Sequence, residues 1–151
     1  MPTAAEVQTD TLQRFIDAWK RWNAKETISF FAESTDFRQV TMPFQMNVPE
    51  RTRAEVEQTL PYVVRAVRKY NLRIHRVIHD RQKGEAAIYA VSKGDTPFGP
   101  WSMEYATFLT FSESGDRITR IEEMLDSNHA QWFGPQLQGW IRGQTGTDVD
   151  Q

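Results

Sequence analysis

The chain has 151 residues, enough for one domain with its own core, and 39% hydrophobic residues, five Trp and nine Phe among them, to fill it. Eighteen basic against twenty acidic side chains leave a net charge of -2 with the signs interspersed, which points away from nucleic acid and from an anionic membrane. With no Cys there is no disulfide, thiolate metal site or thiol nucleophile, and no apolar run is long enough for a signal peptide or membrane span, so a soluble cytoplasmic protein is expected.

Leu12, Phe15, Ile16, Trp19 and Trp22 recur at helical spacing and predict an amphipathic first helix, with Thr9 or Asp10 as its cap. A short second helix is predicted over residues 24–31. An extended piece over 36–40 carries Arg38 and stops before Pro43. Thr52 and Glu55 have the spacing of a capping box, so a third helix is predicted to run to about Tyr70, kinked or restarted at Pro61. Four strands follow, over 72–80, 85–93, 101–111 and 117–126, joined by turn chemistry at Lys83-Gly84, residues 94–100 and Ser114-Gly115-Asp116. A last helix holds Trp132, Phe133, Leu137 and Trp140, with Gly134-Pro135 expected to break it early. The order is that of an α+β domain over residues 1–142, in which a curved, mostly antiparallel sheet wraps the N-terminal helices, with residues 143–151 as a flexible tail.

On the third long strand Trp101, Met103, Tyr105, Thr107 and Leu109 share a face, and on the fourth Thr119, Ile121, Glu123 and Leu125 do. With the Ile121 face inward, Glu123 is an isolated carboxylate between apolar neighbours, which raises its proton affinity unless a cation or donors stabilise the ion. A carboxylate, an Arg and a Tyr hydroxyl around one apolar pocket suffice to move protons on a bound carbonyl compound. The same trio of Glu123, Arg38 and Tyr105 also fits a buried structural pair beside a core Tyr. Tyr89, sharing a face with the small Ala87, is either a pocket wall or ordinary packing. His75 and His79 have the spacing of a zinc pair, but on a strand they point the same way too far apart to share an ion, so no metal is expected.

The run Gly94-Asp95-Thr96-Pro97-Phe98-Gly99-Pro100, the following Glu104-Tyr105, and Arg117-Ile118-Thr119-Arg120-Ile121-Glu122-Glu123-Met124-Leu125-Asp126-Ser127 resemble the SnoaL-like branch of the nuclear-transport-factor-2-like (NTF2-like) superfamily, its fungal members above all. The resemblance covers about residues 10–140. It implies a cone-shaped α+β barrel, often a homodimer, whose apolar pocket works without a cofactor. It further implies an isomerase or cyclase, with semipinacol rearrangement as one form, acting on a hydrophobic polycyclic intermediate of fungal specialised metabolism. Dehydration, epoxide hydrolysis and plain small-molecule binding stay open. By the matching positions Glu123 is the acid or base, Arg38 the cation and Tyr105 a hydrogen-bond donor. Trp101, Tyr89, Met103, Ile121 and His129 are the implied substrate contacts. At Trp101 related isomerases can carry a Tyr.

Overall fold

The structure, a computed structural model, describes residues 1–33 and 35–146. Its elements are α1 (Ala4–Arg21), α2 (Ala24–Ile28), β1 (Arg38–Met42), α3 (Arg53–Ala66), β2 (Arg68–Asp80), β3 (Glu85–Thr96), β4 (Gly99–Phe111), β5 (Ile118–Leu125) and α4 (Ser127–Gly146). The strands make one curved sheet in the order β1-β5-β4-β3-β2, antiparallel except that β1 runs parallel to β5. This is the expected α+β arrangement. No helix among the described residues is long and apolar enough to cross a membrane.

Period two decides which way the sheet faces. On β4 Trp101, Met103, Tyr105, Thr107, Leu109 and Phe111 are all buried, whereas Glu104 and Phe108 are exposed. The buried face meets α1, where Leu12, Phe15, Ile16 and Trp19 are buried in turn, and the Trp19 and Tyr105 rings lie edge to face at 5.3 Å. On β5 alternation alone would put Ile118 and Ile121 on opposite faces, yet both are buried. A register shift opposite Thr110 and Phe111 inserts the extra residue that brings both inward.

Several boundaries differ from the sequence expectation for physical reasons. Helix α1 starts well before Thr9, at Ala4, with Thr3 as its cap, because polar residues hold its first turns down: Gln8 bonds His79 at 3.0 Å and Thr11 donates to the Gly115 carbonyl at 2.8 Å. Gly115 is fixed by that approach, since a Cβ there would stand 2.6 Å from the Ala4 carbonyl oxygen. Helix α2 stops at Ile28, and Phe31 instead bridges to Ile118. The capping box of Thr52 and Glu55 forms as expected, and Pro61 sits inside an uninterrupted α3. That helix ends at Ala66 rather than near Tyr70, where Trp22 donates to the Val67 carbonyl at 3.0 Å and stacks on Tyr70 at 3.6 Å.

Helix α4 continues through Gly134-Pro135 to Gly146 because Phe133 and Leu137, on either side of the Pro, are both buried against the domain. The expected tail is thus helical as far as Gly146, and residues 147–151 lie outside the described residues. The 94–100 run is the β3–β4 hairpin, and each of its ends is pinned. A Cβ on Gly94 would meet the Arg68 carbonyl oxygen at 2.7 Å, while Phe98 packs on Phe133 of α4 at 6.0 Å. The hairpin therefore ties α4 to the sheet.

Candidate functional site

Between the inner sheet face, α1, α3 and α4 lies a cavity of about 490 Å³, within the usual size of a small-molecule site. Phe15, Trp19, Trp22, Val63, Leu60 and Phe133 make much of its wall apolar. The inward rows of three strands cross it. Thr41 of β1, Glu123 of β5 and Thr107 of β4 are direct register partners, so the carboxylate stands between two hydroxyl-bearing neighbours, and all three line the cavity.

Burial pushes the Glu123 carboxyl up to about 7, against the opposing pull of the Arg51 guanidinium. Its proton is therefore available for transfer near neutrality. Arg51 precedes α3, pairs its backbone with Gln39 of β1 through two 2.9 Å hydrogen bonds, and lines the same cavity.

Tyr105 belongs to a chain of hydroxyls. Trp19 Nε1 donates to the Tyr70 hydroxyl at 2.9 Å, Tyr70 and Tyr105 share a bond of 3.1 Å, Tyr105 bonds Ser92, and Trp101 Nε1 donates to Ser92 Oγ at 2.8 Å. The two indoles can only donate. Three hydroxyl protons then serve two hydroxyl–hydroxyl bonds, and one is left over for a group outside the chain. Tyr105 is the hydroxyl-bearing member that lines the cavity. Burial raises both phenols, Tyr70 to about 12 and Tyr105 well above its ordinary value, so both stay protonated donors at neutral pH.

Five of the residues expected from sequence, Glu123, Tyr105, Trp101, Met103 and Ile121, line this cavity. Three do not. Arg38 is on β1 as expected, but the cavity takes the alternate residues Gln39 and Thr41, and Arg38 turns the other way with its guanidinium on the Phe37 carbonyl. Tyr89 is on the outer sheet face, 40% exposed, donating to Glu104, because Ile88 and Ala90 take the buried phase of β3. His129 stands behind the wall: its ring lies edge-on to Trp101 at 4.8 Å, burial depresses its basicity, and it braces Trp101 rather than facing the cavity. His75 and His79 do not even share a face, since a bulge between Ile74 and Arg76 sends His75 outward to Tyr89 and His79 inward to Gln8 and Phe111.

Sequence reasoning missed Arg51, Thr107 as a site hydroxyl, and Tyr70 with Ser92. Arg51 lies in a loop without period. Tyr70 fell at the end of an overextended helix. Alternation on β1 could have found Gln39 and Thr41, had Val40 been read as the opposite phase.

No family model matches the chain. It is 48% identical over 146 residues to Monooxygenase AgnL5 of Paecilomyces divaricatus, covering 97% of this chain and 89% of that protein. It is 39% identical over 140 residues to the Ergochrome gene cluster protein of Claviceps purpurea, covering 93% and 90%. Among solved structures, the BvnE pinacolase from Penicillium brevicompactum superposes with a TM-score of 0.79 over 92% of this chain and 95% of that one at 16% identity, a likeness of fold. The chain thus has the NTF2-like cone fold and belongs to the fungal family that contains Monooxygenase AgnL5.

Proposed function

We propose that this protein is an isomerase or cyclase of fungal natural-product biosynthesis, acting by proton transfer on a hydrophobic polycyclic intermediate. The observation that carries this is Glu123, a carboxyl near neutral pKa in an apolar cavity, with Arg51 and Tyr105 beside it. In a semipinacol-type rearrangement of an α-hydroxy ketone, Glu123 takes the hydroxyl proton and that carbon becomes a carbonyl. A neighbouring C–C bond migrates to the former carbonyl carbon, and the oxygen left there gathers charge beside Arg51 and Tyr105 before the proton returns. Atoms and oxidation state are unchanged.

The name monooxygenase carried by the relative favours a second reading. Glu123 would then remove a proton from an activated methylene, the carbanion would react with O₂, and loss of water would leave a carbonyl: CH₂ plus O₂ gives C=O plus H₂O. Products of a host lacking this gene, complemented with wild type under ¹⁸O₂, separate the two. An isomeric product without label is expected; a product with one ¹⁸O and two fewer hydrogens establishes oxygenation instead. Equal complementation by wild type and Glu123→Gln would make the protein a binder.

The functional unit in this reading is a homodimer joined through the outer sheet face. Ile78, Ala87 and Phe108 form one register row there beside Tyr89 and Met124, and four of the five are large hydrophobic residues at least 40% exposed. Phe108→Glu is expected to convert a dimer to a monomer in sedimentation velocity; a monomeric wild type at tens of micromolar removes the assignment.

A further inference from the structure

Thr107 of β4, Glu123 of β5, Thr41 of β1 and Arg51 make a polar stripe across the sheet side of a cavity whose wall is mostly apolar, and two groups on that stripe lack a hydrogen-bond or ion-pair partner. Arg51 is half-buried on the wall, and among the described residues its guanidinium has no carboxylate at ion-pair distance. Thr107 is 1% exposed, lines the same wall beside Glu123, and its Oγ1 has no hydrogen-bond partner. Buried hydroxyls ordinarily find one.

A cation and a hydroxyl left unpaired in an apolar chamber are complements to ligand oxygens. A neutral ketone would satisfy Thr107 but bring no anionic oxygen to Arg51, which feels the Glu55 and Glu123 carboxyls only from beyond ion-pair distance. We propose that the stripe is a subsite for a ligand that is already an anion, an apolar ring system bearing a carboxylate or an enolised β-dicarbonyl, with its charged oxygen on Arg51 and a second oxygen accepting from Thr107. This rests on the rearrangement reading for which site is used, and it adds the substrate's class.

The anion would enter beside Glu123 and favour its protonated form, so affinity should fall as pH rises through about 7. The other polar groups facing Glu123 do not titrate there. The Tyr70 and Tyr105 phenols are raised by burial, and the Glu55 carboxylate, which the Arg51 charge also reaches, is held below its ordinary value chiefly by its hydrogen bonds from Thr52. The cavity residues of α1, α3 and α4 include no acidic or His side chain.

Three inert probes test this by quenching of Trp fluorescence: anthracene-2-carboxylate, its methyl ester, and the enolate of 2-acetyl-1,3-indandione. At least one anion is expected to bind roughly 10- to 100-fold tighter than the ester, and which anion does so separates carboxylate from enolate. Arg51→Gln should erase that margin while still binding the ester, which reports an intact cavity, and Arg51→Lys should keep most of it. Thr107→Val should weaken the triketone several-fold, and Glu123→Gln should abolish the pH dependence. An ester that binds wild type as tightly as both anions overturns the subsite, as does an unchanged margin in Arg51→Gln. An unaltered triketone affinity in Thr107→Val removes Thr107 from it. Because binding and not turnover is read, failure here leaves the rearrangement reading standing, and loss of the rearrangement reading leaves these affinities standing.

Discussion

Glu123→Gln is expected to lower kcat by about 10²- to 10⁴-fold, the range that a positioned acid or base supplies, with the fold retained. Glu and Gln are nearly isosteric, so the cavity keeps its shape and loses only the transferable proton. If Glu123 takes the substrate's proton in the first step, kcat/KM of the wild type rises with pH through about 7 and then levels, and the residual rate of the variant lacks that inflection. Stability runs the other way. The folded-state value is raised from 4.5 to about 7, so between those two pH values the folded protein holds a proton that the unfolded chain has released. The carboxyl's contribution is intact below pH 4.5 and is lost as pH climbs through 7, on the order of 3 kcal/mol in all. The stability difference between Glu123→Gln and wild type should therefore move in favour of the variant across that interval, measured by urea denaturation at pH 5 and pH 8. Unchanged turnover in the variant, or a difference in stability flat with pH, would show that Glu123 is neither the catalytic group nor the buried one.

The same carboxyl shows where sequence is informative. Its strand pairs with a β4 whose alternation is strict from Trp101 to Phe111, so local period was enough to group Trp101, Met103 and Tyr105 on one face, whereas the strand of Glu123 carries charge on both faces and its period does not choose the inward one. Period fails where the backbone shifts phase. The bulge at β2 separates His75 from His79, and the register shift opposite Phe111 turns Ile118 inward; each inserts one residue that no hydrophobic pattern announces. Short elements fail for another reason. Strand β1 spans five residues with a single buried one, Val40, so alternation there has almost no apolar signal to phase it. Partnership across the chain fails most completely, because Tyr70 and Tyr105 bond each other directly and continue to Trp19 on one side and to Ser92 and Trp101 on the other, by hydrogen bonds that link α1 to three strands.

The hydroxyl chain and the cation do different work around the base. Tyr105 is held on its own side by Tyr70 and Ser92, so its hydroxyl oxygen is positioned before a ligand arrives, and little reorganisation remains to be made during reaction. Arg51 is held by its backbone bridge to Gln39, which places its guanidinium across β1 from Glu123. Glu123 is thus left free to exchange its proton, beside a Tyr105 phenol that burial keeps protonated throughout the neutral range.

Arg51→Gln is expected to reduce kcat by about 10²- to 10³-fold, as removal of a donor to a developing oxyanion does elsewhere, whereas Arg38→Gln should stay within about twofold of wild type. Both arginines lie on or beside β1, the strand paired with that of Glu123, so the pair separates the face a side chain takes from its place in the sheet. Arg38 is on β1 in register with Arg120, with its side chain on the Phe37 carbonyl, so its loss removes a local backbone contact and nothing from the cavity. Arg51 removes the charge that opposes the rise in Glu123's proton affinity, so Arg51→Gln should also shift the pH inflection of kcat/KM upward from about 7, an effect that Arg38→Gln should lack. Steady-state kinetics of both variants between pH 5.5 and 9 would decide it. A large loss in Arg38→Gln with normal activity in Arg51→Gln would mean that the strand turns its other face to the substrate during catalysis.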